Sequence, residues 1–223
     1  MTEQLGLFDE NISPALVRLD LQNADIEYLP TFLSSPSSDR LLSQLVETIE
    51  WRQETLKMYG KQVPVPRLSA WHGDSGTTYS YSGIRMEPQG WTPPLSEIKD
   101  LVQAETGCSF NSVLVNLYRD GTDGVAWHSD DEDELGPNPA IASISLGATR
   151  KFQLRNRADP SYRAELHLEH GSLLVMSGQT QQCWHHQIPK TTKILGPRVN
   201  LTFRNIFSDT ALTTRAATRS ATS

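Results

Sequence analysis

The chain has 223 residues, a formal net charge of −6 at pH 7, and 37% hydrophobic against 21% charged residues. This length allows one well-formed core, and the composition is that of a soluble globular protein without a membrane-spanning segment. Two cysteines, Cys108 and Cys183, are too few for a disulfide scaffold, so we expect both to be reduced. The first ten residues are polar and acidic, unlike a secretion signal, and we therefore expect a cytoplasmic protein.

The acidic balance argues against a protein that coats nucleic acid. This is an average over the whole chain, and a locally basic groove remains compatible with it. The basic residues are concentrated in two segments, at Arg52, Lys57, Lys61 and Arg67 and at Arg150, Lys151, Arg155, Arg157 and Arg163.

The two ends of the chain show no hydrophobic periodicity. Residues 1–30 mix short apolar pairs with turn formers and acids, and we expect a loosely attached arm. Residues 208–223 are small and polar, which predicts a disordered tail. The remaining segment, 31–207, is expected to form one domain.

Two segments predict amphipathic helices. In the first, leucine and isoleucine recur at helical spacing from Ser38, the expected N-cap, to about Trp51. The second runs from about Pro93 to Thr106, with Thr92 as its expected cap and a proline in its first turn. The stretch between the helices is rich in glycine, proline and aromatic residues and predicts short hairpins and loops.

After the second helix the pattern changes to strands. These strands are short, often alternate in polarity and are separated by turn formers, at 113–118, 141–146, 151–154, 164–168, 172–176 and 198–203. Strands without long intervening helices predict a mainly β, α+β fold. We expect two sheets packed as a sandwich or jelly roll, with the helices against one face.

The stretch 113–131 places His128 and Asp130 two residues apart after a strand-like run. In extended backbone, side chains at this spacing point the same way, so an imidazole nitrogen and a carboxylate oxygen can bind one ion. Such a pair is weak evidence by itself, because many are ordinary surface residues. A third ligand is needed.

Four further histidines can supply that ligand. His167 is expected on an outer strand face and His170 beside a turn, so we assign structural roles to both. His185 and His186 follow a predicted strand and precede a proline. Either can complete the site, and spacing does not choose between them.

The last predicted strand separates polar from apolar residues completely. The polar side carries Arg198, Asn200, Thr202 and Arg204, and the apolar side carries Val199, Leu201 and Phe203. Two guanidinium groups cannot be buried on such a face unless an anion occupies it; otherwise the face is exposed.

Asn116 and Tyr118 share one face of an earlier strand and also offer hydrogen-bond donors. A His, Asp, His set suits non-haem Fe(II), whereas zinc is normally four-coordinate, and the ligands alone fit both. A metal beside two arginines and this Asn/Tyr pair matches a small dianion. Such a dianion chelates iron at one end and meets a bidentate arginine at the other.

Five motifs in this order resemble the AlkB family of Fe(II)/2-oxoglutarate dioxygenases, which repair alkylated nucleobases by oxidative dealkylation. The motifs are NLYRDGTDGVAWHSDDE, IASISLGATRKFQLR, HGSLLVMSG, HHQIPK and PRVNLTFR. The similarity runs from about residue 58 to 206 and implies a double-stranded β-helix core, with Fe(II) as cofactor and 2-oxoglutarate and O2 as co-substrates.

The resemblance also implies roles for individual residues. It makes His128, Asp130 and His186 the iron ligands. It selects His186 over His185 because in the family the last ligand is followed by one residue, an aliphatic residue and a proline. It assigns Arg198 to the distal carboxylate of 2-oxoglutarate. The other residues that it places in this pocket are Asn116, Tyr118, Thr202 and Arg204, with Asn200 as a weaker addition.

The resemblance places a nucleotide-recognition lid at about 55–90. Tyr79 and Tyr81 resemble the aromatic wall of this lid, although packing within a hairpin is the competing interpretation for these two residues. Tyr59 lies in a segment that resembles the family's hydrophobic finger, which fills the space that an extruded base leaves in the base stack. Asp131, with Glu132, is expected to contact the charged ring of 1-methyladenine or 3-methylcytosine. An extruded base needs such stacking and polar groups.

The expected partner is therefore alkylated nucleic acid, with DNA favoured and RNA as the alternative, and we expect no membrane association and a monomeric enzyme. One alternative is a 2-oxoglutarate oxygenase of a protein or small molecule, which would keep the same metal and arginine residues. Another is a non-catalytic nucleic-acid-binding module.

Overall fold

The computed structural model of the protein describes residues 16–207 except 59, 78, 82–83 and 87. Within this range, the side chains are described at every position except 57–59 and 78–87. The predicted substrate contact at Tyr59 and the predicted tail lie outside the described residues. Tyr79 and Tyr81 are described by their backbone alone.

Strands dominate the described chain, as predicted. The elements in chain order are β1 (Val17–Arg18), β2 (Asp25–Leu29), α1 (Ser35–Thr48), β3 (Thr55–Met58), β4 (Lys61–Pro64), β5 (Leu68–Gly73), β6 (Tyr79–Tyr81), β7 (Ile84–Met86), α2 (Pro93–Thr106), β8 (Ser112–Tyr118), β9 (Val125–His128), β10 (Ile141–Gly147), β11 (Arg150–Asn156), β12 (Arg163–Leu168), β13 (Ser172–Ser177), α3 (Thr180–Cys183), β14 (Trp184–Ile188) and β15 (Arg198–Arg204). A short 3-10 helix covers Asp133–Leu135.

Two antiparallel sheets face each other. The larger has seven strands in the order β1-β2-β13-β10-β15-β8-β5, and the smaller has four in the order β12-β11-β14-β9. Two hairpins, β3-β4 and β6-β7, stand apart from both sheets. This arrangement confirms the predicted jelly-roll core.

The larger sheet uses its two faces differently. Leu45 of α1, Ile98 of α2 and Val199 and Leu201 of β15 lie in one apolar cluster, so the helices cover one face. A second cluster joins this sheet to the smaller one, for example Met176 to residues of β11 and β14. The alternation of β15 therefore sends its apolar residues to the helices and its polar residues into the space between the sheets.

The first helix begins earlier than predicted, whereas the second begins and ends at the predicted residues. In α1 the N-cap is Ser34, whose hydroxyl accepts a hydrogen bond from the Ser37 amide at 3.4 Å, whereas the predicted cap Ser38 is buried inside the helix. Thr92 is the N-cap residue of α2, but its side chain makes no capping hydrogen bond. Proline in each first turn sets where the helices begin.

The N-terminal part of the chain also differs from the predicted loose arm. Although residues 1–15 lie outside the described part, β2 pairs with β13 along its whole length, and β1 pairs with β2. Ile26 is fully buried between the sheets. Neither long helix in the described residues is a candidate membrane span.

Candidate metal centre

Three side chains meet between the two sheets. His128 ends β9, Asp130 follows two residues later, and His186 lies in β14 directly opposite His128. Their potential ligand atoms all lie within 4.8 Å of one another. The sequence prediction did not identify β9 and β14 as strands, because both are short and rich in polar or aromatic residues.

The structure distinguishes His186 from His185. Along β14, Trp184, His186 and Ile188 are buried, while His185 and the residue after His186 are partly exposed. The imidazole rings of His128 and His186 have centroids 4.2 Å apart. His186 is therefore the histidine that faces Asp130, as the family resemblance implies.

Asp130 is fixed from two sides. Its Oδ2 pairs with Nη2 of Arg204 at 3.0 Å, and its backbone N–H donates to Oε1 of Gln181 at 3.0 Å. Its other carboxylate oxygen, Oδ1, is buried without a hydrogen-bond partner among the described residues and lies 3.9 Å from Nε2 of His128. A buried carboxylate oxygen without a donor, beside two imidazoles, fits a bound cation.

The electrostatics of the site favour the ligand forms of these residues. Burial raises the pKa of Asp130, but Arg204, followed by His186 and His128, lowers it to about 2. Burial, together with the charge of His128, lowers the pKa of His186 to about 3. At neutral pH, Asp130 is thus an anion and His186 a neutral imidazole, as metal binding requires.

The polar residues of β15 line the space next to these ligands. Strand register places Arg198 opposite Tyr118 and Asn200 opposite Asn116. The guanidinium of Arg198 is 1% exposed, and its Nη2 donates to Oγ of Ser145 at 2.9 Å. Its Nε and Nη1 lack a well-aligned acceptor among the described residues, so the group is placed to bind an anion.

These residues enclose a cleft with a cavity volume of about 50 Å³. Its polar lining consists of Arg67, Asn116, Tyr118, His128, Asp130, Ser143, His186, Arg198, Asn200, Thr202 and Arg204. All the predicted metal and 2-oxoglutarate residues are therefore brought together. Arg204 lines this cleft and also contacts the metal ligand Asp130 directly.

Sequence reasoning missed several residues of the site. Arg67 belongs to the basic segment at 52–67 of the sequence, and it is buried and donates through Nε to Oδ1 of Asn116 at 2.9 Å. Ser143 and Ser145 on β10 accept hydrogen bonds from Asn200 and Arg198. Only the polar positions of β10 at a two-residue spacing could have indicated the two serines.

A wider and mainly apolar groove adjoins the cleft. Its cavity volume is about 560 Å³, and its lining includes Leu56 and Val63 of the β3-β4 hairpin. Arg67, Val125 and His128 line both spaces. A planar apolar substrate in this groove would therefore reach the metal ligands.

The predicted substrate contacts are placed less directly. Asp131 forms an ion pair with Arg157 at 2.8 Å, and Glu132 is partly buried before the 3-10 helix. Neither residue lines the cleft or the groove. Tyr79 and Tyr81 both lie in the hairpin strand β6, of which the backbone alone is described.

The predicted basic cluster around residues 150–163 is not an open groove. Arg150 is buried and donates to the carbonyl oxygens of Asp120, Asp123 and Pro189. Lys151 pairs with Glu165 at 2.9 Å. Much of this charge therefore anchors loops or is neutralised locally.

The fold, the metal-ligand group and the anion pocket around Arg198 define a class of protein, the iron- and 2-oxoglutarate-dependent oxygenases. The sequence model of the 2OG-Fe(II) oxygenase superfamily matches residues 25–204. Alpha-ketoglutarate-dependent dioxygenase alkB homolog 3 of Homo sapiens is 40% identical over 92% of this chain and 72% of its own length. DNA oxidative demethylase ALKBH2 of Homo sapiens is 40% identical over 92% of this chain and 82% of its own.

The solved structure of OsALKBH1 has a similar fold, with a TM-score of 0.59 and 19% identity over 86% of this chain and 100% of that chain. The chain belongs to the AlkB family of Fe(II)/2-oxoglutarate-dependent dioxygenases. It is an enzyme that uses Fe(II), 2-oxoglutarate and O2, and the donor set described above fits that metal.

Proposed function

We propose that this enzyme removes methyl groups oxidatively from alkylated bases in DNA, with 1-methyladenine and 3-methylcytosine as substrates. The observation that carries the proposal is the apolar groove, which opens directly onto His128 beside the anion pocket. The names of the relatives support DNA as substrate, since one is a DNA oxidative demethylase of Homo sapiens and another that of Arabidopsis thaliana.

In this proposal His128, Asp130 and His186 hold Fe(II), and Arg198 binds the distal carboxylate of 2-oxoglutarate. The bound metal, with 2-oxoglutarate and O2, would supply the oxidation of the N-methyl carbon, and the products are formaldehyde, succinate, carbon dioxide and the restored base. Arg204 and Gln181 keep Asp130 in place through the contacts described above. Tyr118 packs against the Arg198 guanidinium, with its ring centroid 5.0 Å from Cζ, and restrains it.

The groove determines how the target base approaches. Its apolar walls, Leu56, Val63 and Val125 among them, exclude water from the reacting carbon. A base in a duplex must be extruded to enter such a groove, so unstacking contributes to selectivity for damaged or single-stranded positions. We assign the stacking wall to Tyr79 and Tyr81 of β6 and the reading of the base to Asp131 and Glu132.

The test is anaerobic reconstitution with Fe(II), followed by 2-oxoglutarate, air and an oligonucleotide that carries one methylated base. We expect formaldehyde and the unmodified base in equal amounts. An Asp130→Ala variant, which removes one metal ligand, should give neither product. A wild-type protein that binds Fe(II) and 2-oxoglutarate but leaves every methylated oligonucleotide unchanged would refute the proposed substrate class.

We further propose a monomer that prefers DNA over RNA. Parallel assays with the same lesion in DNA and RNA, single- and double-stranded, test the preference, and light scattering tests the mass. A protein or small-molecule substrate remains the competing hypothesis. It predicts turnover of 2-oxoglutarate with those substrates and no binding of oligonucleotides.

A further inference from the structure

The turn that carries Asp130 is attached to a distant part of the chain by a buried side chain. Gln181 lies in α3, and its Oε1 accepts a hydrogen bond from the Asp130 backbone N–H at 3.0 Å. Gln181 is 1% exposed. The same hydrogen bond therefore connects the segment of Asp130 to the segment that continues into β14 and His186.

The side-chain amide of Gln181 forms its strong hydrogen bond through the oxygen that accepts from Asp130. Among the described residues its Nε2 reaches only Sδ of Met176, at 3.5 Å, and a thioether is a weak acceptor. Burying an amide is unfavourable unless it forms a good hydrogen bond, and the bond to Asp130 is the strong one here. Removing Gln181 would leave the buried Asp130 N–H without this acceptor.

A second contact joins the same two segments from the outside. Nη1 of Arg157 donates to Oδ2 of Asp131 at 2.8 Å and to the carbonyl oxygen of Gln181 at 3.3 Å. Both charged side chains of this pair are partly exposed, so the pair contributes little by itself. The buried hydrogen bond that Gln181 accepts from the Asp130 N–H therefore restrains the backbone of the turn more than this exposed pair does.

We propose that Gln181 is a positioning residue for the metal ligand Asp130. It fixes the main chain at Asp130, while Arg204 holds Oδ2, and together they direct the unpartnered Oδ1 toward the histidines. Without Gln181 the carboxylate keeps its partner Arg204 but loses its fixed distance to His128 and His186. This inference rests on the proposed metal centre.

The test is the dissociation constant for Mn(II), a redox-stable probe, measured by calorimetry on the metal-free protein. We expect Gln181→Leu to bind Mn(II) at least ~10-fold more weakly, because loss of a residue that orients a ligand typically has this effect. Gln181→Glu keeps an acceptor oxygen at the same reach and should bind close to wild type or more tightly. Gln182→Leu, at the exposed neighbouring position, is the matched control and should be unchanged.

Thermal unfolding of each metal-free variant separates positioning from stability, since binding is measured well below each transition. If Gln181→Leu does not fold, Gln181→Asn replaces it; its amide is too short to reach Asp130 and should also weaken binding. Wild-type affinity in the folded leucine or asparagine variant would overturn the role of Gln181. A wild-type protein that binds no Mn(II) would instead overturn the metal centre itself.

Discussion

Adjacent residues acquire opposite roles in β14 because side chains alternate along a strand. His186 faces the space between the sheets and His128, whereas His185 faces outward among charged residues. Burial, followed by Arg157 and Arg155, lowers the pKa of His185. At the scale of single residues, the direction of a side chain decides whether a histidine can bind the metal.

This difference predicts unequal effects of two alanine substitutions. His186→Ala removes a metal ligand and should abolish detectable demethylation and Mn(II) binding. His185→Ala is the matched control, at the neighbouring position and with the same loss of atoms, and should keep Mn(II) affinity. Equal loss of Mn(II) binding in both variants would contradict the assignment of the third ligand.

The buried ligands also predict how stability depends on pH. His186 has a pKa of about 3 in the folded protein against an ordinary value of 6.5, so between pH 6.5 and pH 3 the unfolded chain takes up this proton and the folded protein does not. Asp130, at about 2 against 3.8, adds stability above pH 3.8 that is lost as the pH falls through 2. Both groups therefore destabilise the metal-free protein on acidification.

Urea unfolding of the metal-free protein between pH 7 and pH 4 measures this effect. We expect the free energy of unfolding to fall as the pH decreases below about 6.5, the ordinary pKa of a histidine. His186→Gln removes this titration and should make the decrease shallower. An identical pH dependence in wild type and His186→Gln would show that the buried imidazole is not the cause.

The connection between β10 and β11 controls the position of β15. Gly147 has a φ of +92° and pairs with Arg198 across the sheet. A Cβ at this position would lie 2.3 Å from the carbonyl oxygen of Pro197 and 3.3 Å from Cα of Arg198. Because the two backbones approach each other closely at Gly147, this glycine fixes the position at which β15 begins with Arg198.

Gly147→Ala is expected to destabilise the protein by more than ~1 kcal/mol, because alanine is strained at this φ and contacts fixed backbone. It should also weaken 2-oxoglutarate binding, since relief of the contact displaces Arg198. Urea unfolding and calorimetry measure the two effects. Gly90→Ala, which has open space around its Cβ, is the control and should change neither quantity.

The whole molecule separates stability from chemistry on the two faces of its larger sheet. The helix-covered face contains an apolar cluster, with Leu95 fully buried in it. The opposite face carries the buried polar residues of β8, β10 and β15 that line the cleft. A buried charge such as Arg198 contributes little to folding when it has no anionic partner among the described residues, so this face is adapted to ligands.

Two substitutions should therefore have opposite consequences. Leu95→Ala should lower the free energy of unfolding by ~2–5 kcal/mol, as large-to-small changes in a core do, without changing the affinity for 2-oxoglutarate. Arg198→Met should leave the 2-oxoglutarate-free protein as stable as wild type or more so, and abolish 2-oxoglutarate binding. Unfolding in urea and calorimetry with Mn(II) present measure both; a destabilised Arg198→Met protein would contradict this separation.

The sequence by itself determined the mainly β class, the helix at Pro93–Thr106, the pairing of His128 with Asp130 and the two-faced β15. These features depend on neighbours a few residues apart, which a linear pattern records. Only the tertiary structure decided which face of β14 turns inward, and that Arg67 and Gln181 belong to the site. Both reach partners about fifty residues away, Asn116 and Asp130, and such contacts exist only once strands and loops from separate parts of the chain are packed together.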